Sequence, residues 1–107
     1  MAKAEIHSGV CGFTTTVEAV QDEENPRRVK LTITSTCAAV QRLASRLSEV
    51  DPFREFTFRG AGPQTLQCAA ENLTHTACPV PSGIIKAVEV AAGLALPADV
   101  SIKISRE

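Results

Sequence analysis

The residues best equipped for chemistry are four cysteines, Cys11, Cys37, Cys68 and Cys78, and a histidine, His75, three positions before the last of them. A thiolate is both a nucleophile and a soft metal ligand. Imidazole joins thiolates in zinc sites and in some iron–sulfur centres. No two cysteines form a Cys-x-x-Cys pair, so spacing alone specifies neither a zinc ribbon nor a dithiol redox site. Placement says more. Cys11 lies in the turn Gly9-Val10-Cys11-Gly12, and Cys37 lies where a strand gives way to a helix. Cys78 ends the irregular stretch Thr74-His75-Thr76-Ala77-Cys78, just before another helix. Free backbone N–H groups and the dipole at a helix N-terminus favour a thiolate, which singles out Cys37 and Cys78.

These placements are positions in elements that the apolar periodicity defines. Ala4, Ile6, Ser8 and Val10 alternate with Lys3, Glu5 and His7. Phe13, Thr15, Val17 and Ala19 form a second alternating run, and Val29, Leu31 and Ile33 a third. Period two predicts three strands with one face on a core. Gln21 to Arg28, with Asn25-Pro26, reads as a solvated hairpin loop, and Gly9 and Gly12 supply the backbone freedom of the first turn. Val40, Leu43, Leu47 and Val50 predict a helix capped by Ser35 or Thr36 and stopped by Asp51-Pro52. Phe56 and Phe58 suggest a short strand between Phe53 and Arg59. Gln64 to Leu73 reads as a helix with Leu66, Ala69, Ala70 and Leu73 inward, and Ser82 as the cap of a helix that buries Ile84, Ile85, Val88 and Ala91 and ends at Gly93. Val100, Ile102 and Ile104 predict a last strand. The expected fold is one α+β domain over residues 1–107, a mostly antiparallel sheet of four to five strands with two to three helices on one face.

If the third strand and the last helix are neighbours, Cys11, Cys37 and Cys78 can face one end of that sheet. With Cys68 or His75 completing four ligands, the set would hold zinc or an iron–sulfur cluster, and a small metal-binding domain is the leading expectation. Cys68 lies about 200° from Leu66 around its helix, away from the expected apolar face, and joins the set only if that side faces the cluster. His7 falls on the polar side of the first strand. Two other readings stay open. Cys78 alone could be the nucleophile of a sulfur-carrier or thiol-reactive protein. Alternatively, the chain is a non-enzymatic interaction or subunit protein whose cysteines pack as small hydrophobes.

Cys78-Pro79-Val80-Pro81, with the helix from Ser82 to Ala92, resembles the Cys-Pro-x-Pro motif of the TusA and SirA sulfur carriers. The resemblance implies a cysteine that opens a helix and carries a persulfide. The chain also looks like a group of small uncharacterised single-domain proteins of anaerobic bacteria and archaea, with a glycine-bracketed cysteine, a strand-end cysteine and a Cys-Pro-Val-Pro segment. That likeness implies no activity, but an anaerobic setting suits an iron–sulfur site.

Other chemistries find little support. Eleven basic residues against twelve acidic ones leave a net charge of −1, and the aromatics are four Phe with no Trp or Tyr. Neither a basic surface nor a stacking platform for nucleic acid is expected. No apolar run reaches the roughly 18–20 residues that cross a bilayer, and Met1 to Glu5 has no apolar signal core. A cytoplasmic protein with reduced thiols is expected. Gly60-Ala61-Gly62-Pro63 is no dinucleotide loop, Ser35 and Ser82 sit in no hydrolase pattern, and Asp22, Glu23 and Glu24 are consecutive rather than paired across a site. The Thr-rich outer face of the sheet offers a docking surface for a protein partner or a homodimer.

Overall fold

The computed structural model describes all 107 residues. Four strands form one antiparallel sheet in sequential order: β1 (Ala2–His7), β2 (Thr14–Gln21), β3 (Val29–Ser35) and the two-residue β4 (Glu49–Val50). Four helices accompany it: α1 (Ala38–Ala44), α2 (Pro52–Glu55), α3 (Gln64–Asn72) and α4 (Val80–Ala91), and a 3-10 turn spans Gly9–Cys11. The α+β class stands, with four helices rather than two or three.

The alternation works as period two requires. Ala2, Ile6, Thr15, Val17, Ala19, Val29 and Leu31 are buried on one face, while Lys3, Glu5, His7, Glu18, Lys30 and Thr32 are exposed on the other. α4 covers β1 and β2, and α1 covers β3. α4 repeats its buried residues at Val80, Ile84, Ala87 and Val88, one helical stripe. Each fully buried branched side chain there contributes about 1.5–3 kcal/mol. Close approach to β1 is possible because position 83 is glycine: a Cβ there would lie 2.3 Å from Ile6 Cδ1. The helix ends in a Schellman motif, with Leu94 N–H donating to the Glu89 carbonyl, Gly93 N–H to the Val90 carbonyl, and Gly93 at φ +75°.

Several expectations are corrected. Val10 does not continue β1; it sits in the 3-10 turn, fully exposed. α1 stops at Ala44, and Leu47 and Val50 reach the core from the following turn and β4. Cys37, not Ser35 or Thr36, occupies the α1 cap position; the Ser35 hydroxyl accepts from Cys37 N–H at 3.1 Å. α4 begins at Val80, ahead of the expected cap Ser82. Phe53–Arg59 is not a strand. Asp51 accepts from Phe53 N–H and Pro52 pre-sets the first turn, so the chain enters α2 and leaves Phe56 and Phe58 exposed. The last expected strand, Val100–Ile104, pairs with nothing and is exposed throughout.

Candidate functional site

The antiparallel topology decides where three of the cysteines go. The β1–β2 register places His7 opposite Thr14, and the β2–β3 register places Thr15 opposite Ser35. The end of β1, the start of β2 and the end of β3 therefore share one end of the sheet. Cys11, in the turn between β1 and β2, and Cys37, two residues past β3, both emerge there. Side chains tie the corner: Thr15 Oγ1 and Ser35 Oγ are 2.8 Å apart, and Thr14 N–H donates to Thr36 Oγ1 at 3.3 Å. α4 brings its N-terminus to the same end, since Gly83 lies against Ile6 near the end of β1. Cys78, two residues before α4, arrives with it.

The result is a cavity of about 160 Å³ lined by Cys11, Cys37, Cys78 and His75. Its remaining walls are largely apolar, with Val10 and Phe13 from the first turn, Ala39 and Val40 from α1, and Leu73, Ala77 and Pro79 from the segment between α3 and α4. The turn geometry that presents Cys11 depends on left-handed glycines, Gly9 at φ +81° and Gly12 at φ +72°. Cys11 is exposed, and Cys37 and Cys78 are half-buried. The sulfurs of Cys37 and Cys78 make no hydrogen bond, and that of Cys11 has only a 3.9 Å contact with the Ser8 carbonyl. Cys37 sits at a helix cap position without using its side chain as a cap. Cys78 N–H donates to the His75 carbonyl at 3.3 Å, a turn that brings the imidazole residue back to the same wall. No three His, Cys, Asp or Glu side chains are gathered closely enough to grip a single ion.

Cys68 is not part of this cavity. α3 turns Thr65, Cys68, Ala69 and Asn72 toward the body of the protein, so Cys68 faces inward rather than away from the packed face. Its sulfur lies 3.9 Å from the Leu43 carbonyl and accepts from Asn72 Nδ2 at 3.5 Å. Burial raises its thiol pKa above the ordinary range, only partly offset by the Asn72 hydrogen bond. His7 lies outside the cavity, its Nδ1 3.5 Å from Thr14 Oγ1. The apolar walls Val10, Phe13 and Leu73 were not singled out from sequence as site residues; the exposed Val10 between two glycines was the available signal.

The chain is thus a small α+β domain with a thiol-lined cavity at one end of an antiparallel sheet. Residues 2–104 match the model of a family of unknown function (DUF6951), and the chain belongs to that family. No curated protein and no solved structure matches it. No helix is long and apolar enough to cross a membrane.

Proposed function

We propose that this end of the sheet binds an iron–sulfur cluster, with Cys11, Cys37 and Cys78 as thiolate ligands and His75 as the fourth donor. The observation that carries the reading is the convergence of three of four cysteines, from separate parts of the chain, on one cavity with an imidazole. Their sulfurs have almost no competing hydrogen bonds, which leaves them available as ligands. A cluster asks less of sulfur-to-sulfur proximity than a single zinc ion does. Thiolates about 2.3 Å from one zinc ion stand only about 3.8 Å apart, and no such gathering is present. A cluster spreads its ligands over several irons, so a cavity-wide arrangement suits it. Such a site belongs in a reducing compartment, so a cytoplasmic location goes with the reading, and an anaerobic host would suit it. The polar sheet face is the surface on which a protein partner would dock.

The test is iron, zinc and acid-labile sulfide analysis, with a visible spectrum, of protein purified without oxygen. Iron and sulfide are expected in the wild type and in Cys68→Ser, and are expected to be lost from Cys37→Ser and Cys78→Ser. A metal-free wild type under those conditions sinks the proposal.

One observation favours a second reading. Cys78 precedes a twelve-residue helix through Pro79, half-buried with its sulfur unbonded, the local arrangement of the Cys-Pro-x-Pro sulfur carriers. In that reading the Cys78 thiolate attacks the outer sulfur of a persulfide donor. The donor's S–S bond breaks, its thiolate leaves, and Cys78 holds the sulfur as a persulfide. Persulfide formation that survives Cys37→Ser, in protein without metal, would favour the carrier over the cluster.

A further inference from the structure

The last residues of the family domain form an arm without a partner, and the sheet has an edge without a strand. Residues 95–107 make no hydrogen bond. Val100, Ile102 and Ile104 are 64%, 76% and 90% exposed and alternate with Ser101, Lys103 and Ser105. Such a pattern is that of a half-buried strand, yet here nothing covers its apolar side. The family match runs to residue 104, so this segment is part of the shared domain.

At the other end of the chain, β1 closes the sheet and its outer edge is unpaired. Beside it runs a groove of about 870 Å³, lined along its length by Met1 to His7 and by Gly83, Ala87 and Val90 of α4. The chain's own Pro97–Val100 reaches the rim of this groove and then departs from it. The molecule measures 48 Å along its longest axis against 27 and 26 Å across.

We propose that two copies exchange these arms, Val100–Ile104 of each adding a fifth strand to β1 of the other. An arm that stands off its own groove can fill the same groove of a twofold mate, and the exchange closes on itself. The side chains fit in either direction. With the arm parallel to β1, Val100, Ile102 and Ile104 fall opposite Ala2, Ala4 and Ile6. With the arm antiparallel, Ile102 falls opposite Ile6 and Ile104 opposite Ala4. In both registers Lys103, the one cation among residues 100–105, meets Glu5, the one carboxylate of β1. Burying the edge also removes an exposed pairing template.

The test is the mass of the full chain by light scattering over a range of concentrations. Twice the 11.4 kDa chain mass is expected, falling to one chain in Ile102→Lys/Ile104→Lys with unchanged far-ultraviolet circular dichroism. Glu5→Lys should weaken the dimer several-fold, and Lys103→Glu in the same chain should restore it. A wild type that stays monomeric at high concentration overturns the proposal. So does a dimer that persists in the double-lysine variant, and so does a monomer whose amides 100–104 resist hydrogen exchange, since the arm would then pair with its own β1.

Discussion

Two regions of this molecule hold its reactive side chains, and they treat them in opposite ways. Between α2 and α3 lies Glu55, 1% exposed, the most deeply buried ionisable group. Its carboxylate accepts from Gln64 N–H at 2.6 Å, from Thr65 N–H at 3.0 Å and from the Thr65 hydroxyl. Those donors belong to the first turn of α3, so Glu55 does from α2 what an N-cap side chain does locally, and it meets the positive end of the helix. Its acceptors are taken by the fold. At the cysteine end the reverse holds: three sulfurs and an imidazole share a cavity, and the sulfurs have almost no partners. A buried charge with every acceptor occupied is architecture, whereas convergent groups left free are candidates for chemistry.

The sharpest way to break that comparison is to remove Glu55. Glu55→Ala leaves two backbone N–H groups and the Thr65 hydroxyl without acceptors, and we expect a loss of about 3 kcal/mol in urea unfolding. Glu55→Gln keeps one acceptor oxygen but turns an amide toward donors, so about half that loss is expected. If the comparison is right, neither variant alters metal or sulfide content in the protein that remains folded. A changed content would make Glu55 part of the site.

The contrast also explains what the sequence made legible. The three long strands were readable because Val, Leu, Ile and Thr alternate with charged residues, and the cysteine convergence followed from placing Cys11 and Cys37 at strand ends. α3 misled because its inward face is built largely from Thr65, Cys68 and Asn72, whose side chains carry polar atoms. Those atoms are satisfied by tertiary or i−4 partners, such as Glu55 for Thr65 and the Cys68 carbonyl for Asn72 Nδ2 at 2.8 Å. Counting apolar residues pointed to Leu66 instead and turned Cys68 the wrong way. Glu55 was illegible for the same reason, since its value depends on donors nine and ten residues away. The arm at Val100–Ile104 has the periodicity of a strand, but pairing is a property of neighbours, which alternation does not supply.

The second prediction concerns how α4 is held over the site. Gly83→Ala puts a methyl group 2.3 Å from Ile6 Cδ1 and 2.6 Å from Ile6 Cγ1. Ile6 is itself buried, so it has little room to give. Overpacking costs about 1–3 kcal/mol, and replacing a helical glycine returns about 0.5–1 kcal/mol. A net loss of about 1–2 kcal/mol is expected by thermal or urea unfolding. If α4 shifts to relieve the clash, Cys78 moves with it and metal content falls too; an unchanged content would show that the cysteine end tolerates small displacements of the helix.

A third prediction uses the thiols themselves as reporters. In metal-free protein, alkylation should modify Cys11 first and Cys68 last, followed by peptide mass mapping. Cys11 is exposed, while Cys68 packs against the core with a pKa raised chiefly by desolvation. The linked stability effect has a definite sign. The folded state favours protonated Cys68, so its contribution is complete below the ordinary thiol pKa and is lost as pH rises through the raised value. Cys68→Ala should flatten that alkaline fall. Rapid labelling of Cys68 would place it with the cavity cysteines and erase the distinction between the two sets.

The smallest effect belongs to Asp22, the solvent-accessible, half-buried counterpart of Glu55 at the far end of the sheet. It organises the β2–β3 hairpin loop by accepting from Glu24 N–H at 2.8 Å and Asn25 N–H at 3.3 Å, with Arg28 3.7 Å away. The Glu24 N–H bond, more than any other contact, holds its pKa below the usual carboxylate value; the Asn25 N–H and the charges of Arg28 and Lys30 act in the same direction. A depressed pKa in the folded state means that the carboxylate's contribution is present above about pH 3.9, its value in an unfolded chain, and is lost as pH falls through the lowered value. Asp22→Asn keeps an acceptor oxygen but removes the charge. It should change stability little at neutral pH and flatten the acid limb of the unfolding profile. Because the loop is solvated, water can replace these bonds, whereas nothing can replace those of Glu55. An acid limb identical to wild type would mean that the loop's hydrogen bonds add nothing beyond those water supplies, and that only burial makes such a cap count.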